Sequence, residues 1–280
     1  MDGPDGVAVS AGGLGLKGPR GWVFRGVGID AEPGSLIAIE GPSGSGRTSL
    51  LLTLTGRMKP SEGQASVGPY RLPKQMSAVR RISGLAHVPG VSELDPALTV
   101  GEHLRERALL ERRFTGSLRG LLRPRGERAA EERRRIDTAL NAAGLAPDTL
   151  PKGLRTAVRD LERLEALRLS IALALLGRPA LVAVDDTDLK LSTTEQAAAW
   201  ALLRSLTAAG TTVVAVCGGA PGEAVVVSMG AGASSGESGS DGATSEENGP
   251  DTATSEENGP AKTAPVAAPR IPAPPERTTP

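Results

Sequence analysis

The sequence predicts an α/β fold in which a parallel sheet covered by helices carries an antiparallel β layer and a helical region, with a disordered tail behind. Three observations predict it. A strand-like apolar run, "SLIAIE" at 35–40, leads through a Gly/Ser loop into a helix-like run, "RTSLLLTLTG" at 47–56. Strand, helix and strand alternate again in "ALVAVDD", "STTEQAAAWALLRSLTAAG" and "TTVVAVCGG" between 180 and 219. Short β-like pieces separated by Gly and Pro open the chain, the texture of an antiparallel layer.

Taken in order, "VAVSAGGLGL" at 7–16 and "GWVFRGVGI" at 21–29 read as strands, and "SLIAIE" as a buried one. The next helix is closed by Gly56, and "GQASVGPYRL" at 63–72 is a turn-rich piece. From about 101 to 176 the chain is helical and strongly charged, punctuated by Pro124, Pro147 and Pro151. Its last part, "AVRDLERLEALRLSIALALLG" at 157–177, reads as one long helix with Val158, Leu161, Leu164 and Leu167 on roughly one side. The helix at 193–208 is well specified: Ser192 and Glu195 make a capping box, Ala199, Leu203 and Leu206 recur at helical spacing beside Trp200, and Gly210 closes it. "EAVVVSMG" at 223–230 is the last strand.

Beyond about 230 almost no apolar residue is larger than valine, and "ATSEENGP" occurs at 243–250 and again at 253–260. Such a segment buries too little apolar area to offset its ordering entropy. The expected organisation is therefore a folded domain over 1–229 and a disordered, acidic, Pro/Ala/Ser-rich tail over 230–280. The net charge of zero divides accordingly, because residues 231–280 hold 8 acids and 3 bases against 24 and 29 in the rest. The one cysteine, Cys217, excludes an internal disulfide and suits a reducing compartment. The start "MDGPDGVAVS" lacks the basic and apolar regions of a leader, and Arg178 and Pro179 break the most apolar stretch, so no membrane span is expected.

The stretch "GPSGSGRTSL" at 41–50 fits the phosphate-loop pattern G-x-x-x-x-G-K-[ST] at every fixed place but one, where Arg47 stands for lysine. Gly41, Gly44 and Gly46 let the backbone fold into a nest of N–H groups, the following helix points its positive end at the same anion, and Thr48 is the hydroxyl that ligates Mg²⁺. The strand, loop and helix appear in the required order. The alternative is a Gly/Ser-rich surface turn. "LVAVDD" at 181–186 supplies the second half: four apolar residues end in Asp185, whose carboxylate can reach Mg²⁺ through its water shell, and Asp186 can orient an attacking water. The bland alternative is an acidic turn after a buried strand.

"IEGPSGSGRTSLLLTLTGRMKPSEG" at 39–63, "LDPALTVGEHL" at 94–104 and "LALLGRPALVAVDDTD" at 173–188 run in order as the text of one family. Over about residues 5–229 the chain resembles the ATP-binding cassette of ABC transporters. The resemblance implies a P-loop NTPase fold, with a RecA-like core and an antiparallel β subdomain holding ATP and Mg²⁺, and a helical subdomain over about 101–176 that meets a membrane partner. It implies phosphate contacts from Gly41, Ser43, Gly44, Ser45, Gly46, Arg47, Thr48 and Ser49, with Mg²⁺ on Thr48 and Asp185. Trp22 or Phe24 sits roughly where the family stacks an aromatic on adenine; Phe24 suits a core role as well, which leaves Trp22. Tyr70 has no motif.

The departures from the family carry as much meaning. Its LSGGQ signature falls on Leu161, Glu162, Arg163, Leu164 and Glu165, so two carboxylates and a leucine would face the γ-phosphate across a dimer. The switch histidine corresponds to Gly218, and the lid glutamine falls at Gly90 or, with a longer loop, at His87. Arg47 keeps a positive charge but replaces a compact ammonium with a planar fork that does not fit the lysine's slot without shifting a phosphate. The expected protein binds Mg-ATP with impaired hydrolysis and couples to an integral membrane permease-like partner. A heterodimer with an intact cassette would restore turnover, and a non-hydrolytic nucleotide-sensing adaptor is the rival. A small-molecule kinase needs an acceptor site that is not legible.

Residues 105–135 hold 11 arginines and 5 acids, and Phe114, Leu118, Leu121 and Leu122 interleave with Arg113, Arg119, Arg123 and Arg125. This is the pattern of a basic amphipathic segment that lies on anionic lipid or docks on a membrane partner; a solvated pair of charged helices is the alternative. The expected location is cytoplasmic, with peripheral contact at the inner face of the plasma membrane. Five aromatics in all give no stacking platform for nucleic acid.

Overall fold

A computed structural model of the chain describes residues 5–115, 125–187 and 190–230. The expected tail from 231 onward and most of the basic segment 113–125 lie outside the described residues.

Strands β1 (Val9–Gly18) and β2 (Gly21–Ala31) form an antiparallel hairpin from Val9↔Ala31 to Gly18↔Gly21. Its register shifts between Ala11 and Leu14, where the side-chain-free pair Gly12 and Gly13 loosens the ladder. The turn-rich piece after the first helix resolves into a second hairpin, β4 (Glu62–Val67) and β5 (Tyr70–Leu72), and β4 pairs antiparallel with β1. The layer is ordered β2-β1-β4-β5.

The core sheet is parallel, ordered β6-β7-β8-β3-β9, from β3 (Leu36–Glu40), β6 (Ser83–Leu85), β7 (Leu181–Val184), β8 (Thr212–Cys217) and β9 (Val225–Ser228). Its inner strands are buried on both faces, which explains their unbroken apolar runs. Alternate residues enter different cores. Ile37, Ile39, Leu181, Ala183, Val214 and Val216 face one cluster, shared with the antiparallel layer and with Leu50, Leu51 and Leu54 of α1 (Arg47–Leu54). Leu36, Val182, Val184, Val213 and Ala215 face the other. That second cluster is completed by α3 (Val100–Thr115), α4 (Arg125–Ala142), α5 (Arg163–Leu175) and α6 (Thr193–Ala208). Trp200 packs against it, half-buried, in the core role its spacing indicated.

Two elements escape the sequence reading: α2 (Met76–Ile82) and β6, of seven and three residues. Both are too short to show a period, and Gly84 interrupts β6. The expected long helix at 157–177 is also corrected. Val158–Asp160 is a 3-10 turn, Leu161 and Glu162 are extended at ψ 144° and 160°, and the helix begins only at Arg163. The apolar spacing of Val158, Leu161 and Leu164 imitates a helical period, but the carboxylate of Glu165 turns back to accept the Glu162 N–H at 2.9 Å and starts the helix there.

The capping box of α6 forms as its sequence indicates. Glu195 Oε2 accepts from the Ser192 N–H at 2.7 Å and from its hydroxyl at 2.6 Å, while Ser192 Oγ accepts the Glu195 N–H at 3.3 Å. Ser192→Ala is expected to cost about 1 kcal/mol in denaturant unfolding, the usual loss for an N-cap hydroxyl.

Candidate nucleotide site

Because the core strands are parallel, the residues that follow β3, β6, β7, β8 and β9 all emerge at one edge of the sheet, the usual place for a ligand in such folds. After β3 come Gly41–Gly46 and then α1. Two glycines there are dictated by space as well as by backbone angle. A Cβ at Gly41 (φ 153°) would lie 2.6 Å from the Met229 carbonyl oxygen, and one at Gly46 (φ 88°) would lie 2.7 Å from that of Val23. The loop is thus wedged between the segment after β9 and strand β2. Ser43 and Gly44 stand exposed on its crest. Ser45 is 2 % exposed, and its hydroxyl has no partner. A buried hydroxyl without a partner, inside a loop of N–H groups at a helix start, fits an anionic ligand.

Thr48 and Asp185 meet as the motif requires: Thr48 Oγ1 donates to Asp185 Oδ2 at 2.6 Å. Asp185 follows the last residue of β7, is 1 % exposed, and takes the Asp186 N–H on its other oxygen at 3.0 Å. Its own N–H donates to the His87 carbonyl at 2.8 Å. Burial pushes the Asp185 carboxyl above the ordinary aspartate value and Asp186 adds to the rise, while the Thr48 hydroxyl, the Asp186 N–H and Arg47 oppose it. Asp186 sits at φ 48°, a left-handed conformation that is costly for a side-chain-bearing residue and tolerated best by Asn and Asp. Ser49 lies in the first turn of α1, where its carbonyl accepts the Thr53 hydroxyl at 2.7 Å.

The loop, its helix and the buried aspartate are matched by a family model described as ABC transporter, over residues 24–188, more than half of the chain. The chain belongs to the ABC transporter family. The cassette is 28% identical to the Nod factor export ATP-binding protein I of Cupriavidus metallidurans over 66% of this chain and 54% of that protein. It is 29% identical to the hemin import ATP-binding protein HmuV of Gloeobacter violaceus, over 74% of this chain and 72% of that one. With ABC transporter G family member 21 of Arabidopsis thaliana it shares 32% over 70% of its own length but only 27% of the relative's. The chain therefore spans about half of the Nod factor export protein and about a quarter of the Arabidopsis one. Among solved structures, the fold is shared with the dimeric structure of MJ0796, a bacterial ABC transporter cassette, at TM-score 0.62 and 21% identity, covering 80% of this chain and 95% of that one.

The other motif positions of the cassette fall unevenly around the loop. His87 touches the Asp185 backbone through its carbonyl, whereas Gly90 is exposed and its N–H donates to Glu93 Oε1 at 2.7 Å. Trp22 is half-buried on β2, one residue before Val23, with the Arg25 guanidinium 4.7 Å and the Lys17 ammonium 5.8 Å from its ring centre. Phe24 is core. Glu162–Glu165 form the start of α5, as a signature segment should, but a carboxylate caps it.

Two groups at the site escaped the sequence reading. Glu40, the last residue of β3, accepts the Ala220 N–H, and the carbonyl of Cys217 accepts from Arg47 Nη1 at 2.8 Å. An acidic residue closing an otherwise apolar strand was the only signal for the first, and a main-chain carbonyl gives none for the second.

If Asp185 holds Mg²⁺, as the sequence leads one to expect, that binding is proton-linked. A raised Asp185 pKa favours the neutral acid in the cation-free fold, while a ligand to Mg²⁺ must be ionised. Apparent Mg²⁺ affinity in the presence of ATP is expected to rise with pH above the ordinary aspartate value of about 3.9, with proton release on binding. Calorimetry in buffers of different ionisation enthalpy checks this, and Asp185→Asn should abolish the release.

Proposed function

We propose that this cassette is an ATP-binding subunit that binds Mg-ATP, hydrolyses it weakly or not at all on its own, and couples nucleotide occupancy to a membrane partner. The observation that carries the reading is the pairing of Thr48 with Asp185 beneath a loop holding an unpartnered buried Ser45 hydroxyl, while the helix start at Glu162 is already capped by carboxylate. The loop N–H groups and Arg47 take the phosphates, Thr48 and Asp185 hold Mg²⁺, Trp22 flanks the base, and Asp186 orients water. Bound Mg²⁺ would neutralise phosphate charge.

Coupling to a membrane partner is supported by a cavity of about 420 Å³ between the 85–98 segment, α3 and α5, whose lining mixes leucines such as Leu94 and Leu110 with charged residues such as Glu93, Glu106 and Arg107. Leu109 and Leu110 of α3 are exposed, and Leu110 lines the cavity, as partner-binding apolar residues do. Relatives whose names give export or import functions point the same way. No helix among the described residues is long and apolar enough to cross a membrane, which agrees with a cytoplasmic subunit held at the membrane by its partner and by the basic region 105–135. Pairing with a second cassette that supplies an intact signature would provide turnover. The capped α5 start also favours a non-hydrolytic nucleotide-sensing adaptor.

Calorimetry and phosphate release on the purified chain test the reading. Binding of Mg-ATP with turnover far below about 1 s⁻¹ is expected. Absence of binding, or turnover at that rate by the chain alone, would refute it.

A further inference from the structure

The segment after β8 is tied to both ends of the phosphate loop. At the far end Arg47 Nη1 donates to the Cys217 carbonyl at 2.8 Å, and at the near end Glu40 accepts the Ala220 N–H. One residue earlier, the Val216 carbonyl takes both the N–H and the hydroxyl of Thr187 at 3.0 Å each, which joins the same segment to the turn carrying Asp185 and Asp186. Gly218, between the two ties, has no side chain with which to sense a phosphate.

We propose that Arg47 is a positioning residue that reports phosphate occupancy to residues 217–220, holding the Cys217 carbonyl until a nucleotide's phosphates draw its guanidinium away. The competition is between unequal acceptors. The carbonyl is neutral, whereas phosphate oxygens are anionic, and charge-assisted hydrogen bonds are about twice as strong as neutral ones. The planar fork of arginine also engages two phosphate oxygens at once. Phosphate binding therefore breaks the Arg47 tie and leaves the Glu40 tie in place, so residues 217–220 lose one of these two ties to the loop. Arginine at this position thereby links the loop to the switch segment without an imidazole.

The inference rests on the Mg-ATP reading, and its test keeps the two apart. Hydrogen exchange of the Gly218, Gly219 and Ala220 amides is followed by mass spectrometry on the full chain. Mg-ATP is expected to speed exchange at Gly218 and Gly219 roughly tenfold, the effect of losing one hydrogen bond to a charged group, while Ala220, still bonded to Glu40, exchanges as before. AMP, without β- and γ-phosphates, is expected to leave it unchanged. Arg47→Ala should give the fast rate without nucleotide, with no further gain from Mg-ATP, while unchanged exchange in α6 shows that the variant is folded. Glu40→Ala should speed Ala220 and still allow Mg-ATP to speed Gly218. If calorimetrically bound Mg-ATP leaves Gly218 and Gly219 unchanged or slower, or if Arg47→Ala exchanges like the parent, the relay is wrong. If Mg-ATP does not bind at all, the nucleotide reading fails, and the nucleotide-free comparison of Arg47→Ala with the parent still decides whether the tie exists.

Discussion

Combining Arg47→Lys with Glu162→Ser, Arg163→Gly, Leu164→Gly and Glu165→Gln is expected to raise ATP turnover by the isolated chain at least about a hundredfold, whereas Arg47→Lys alone leaves it within about threefold. The asymmetry follows from the start of α5. Its Glu162 N–H is occupied by Glu165 Oε2, and two carboxylates at that end repel a γ-phosphate brought there by a second copy. A helix start is an anion site only when its N–H groups are free and its side chains are not themselves anions. The substitutions remove the two carboxylates, and a neutral Ser-x-x-Gln capping box keeps the boundary of α5; the two new glycines cost about 1 kcal/mol each at most. Phosphate release and light scattering with and without Mg-ATP provide the check. Full activity from Arg47→Lys alone would show that the α5 start is not the obstacle.

Asp185→Asn is expected to weaken Mg-ATP binding by about 10- to 100-fold while raising the melting temperature of the nucleotide-free protein. The two effects have one source. Burial raises the Asp185 pKa in the fold, so this group favours the native state most below the unfolded value near about 3.9, and that contribution is lost as pH rises through the folded value. At neutral pH the buried carboxylate is a cost that Mg²⁺ would offset, and asparagine removes the cost and the proposed metal ligand together. Calorimetry and thermal melts on the same variant measure both. A lower melting temperature would mean that the hydrogen bonds from Thr48 and Asp186 outweigh the buried charge.

Much of this site could be read from the chain because its parts are local. The loop at 41–48 is contiguous, Asp185 ends its own strand, and the Ser192–Glu195 cap spans four residues; each appears where its pattern places it. The start of α5 was misread because apolar spacing is blind to backbone angles, and extended Leu161 and Glu162 carry the same side-chain rhythm as a helix. The ties of the switch segment could not be read at all. Arg47 and Cys217 are 170 residues apart, Glu40 and Ala220 are 180 apart, and only the order of strands in the sheet makes them neighbours.

That strand order also sets a schedule for folding during synthesis. β3 lies between β8 and β9, the last strands to be made, and Gly34, just before β3, bonds to Thr212 at a separation of 178 residues. At 5–20 residues per second the ribosome takes roughly 10 to 40 seconds to deliver β3's first sheet partner. Throughout that interval Ile37, Ile39 and the leucines of α1 lack the Val214 and Val216 part of their core, and β3 presents two unpaired edges. The nascent chain thus passes through a long window in which this apolar segment is open to aggregation or to a chaperone, and the nucleotide loop built on β3 is completed only when that window closes.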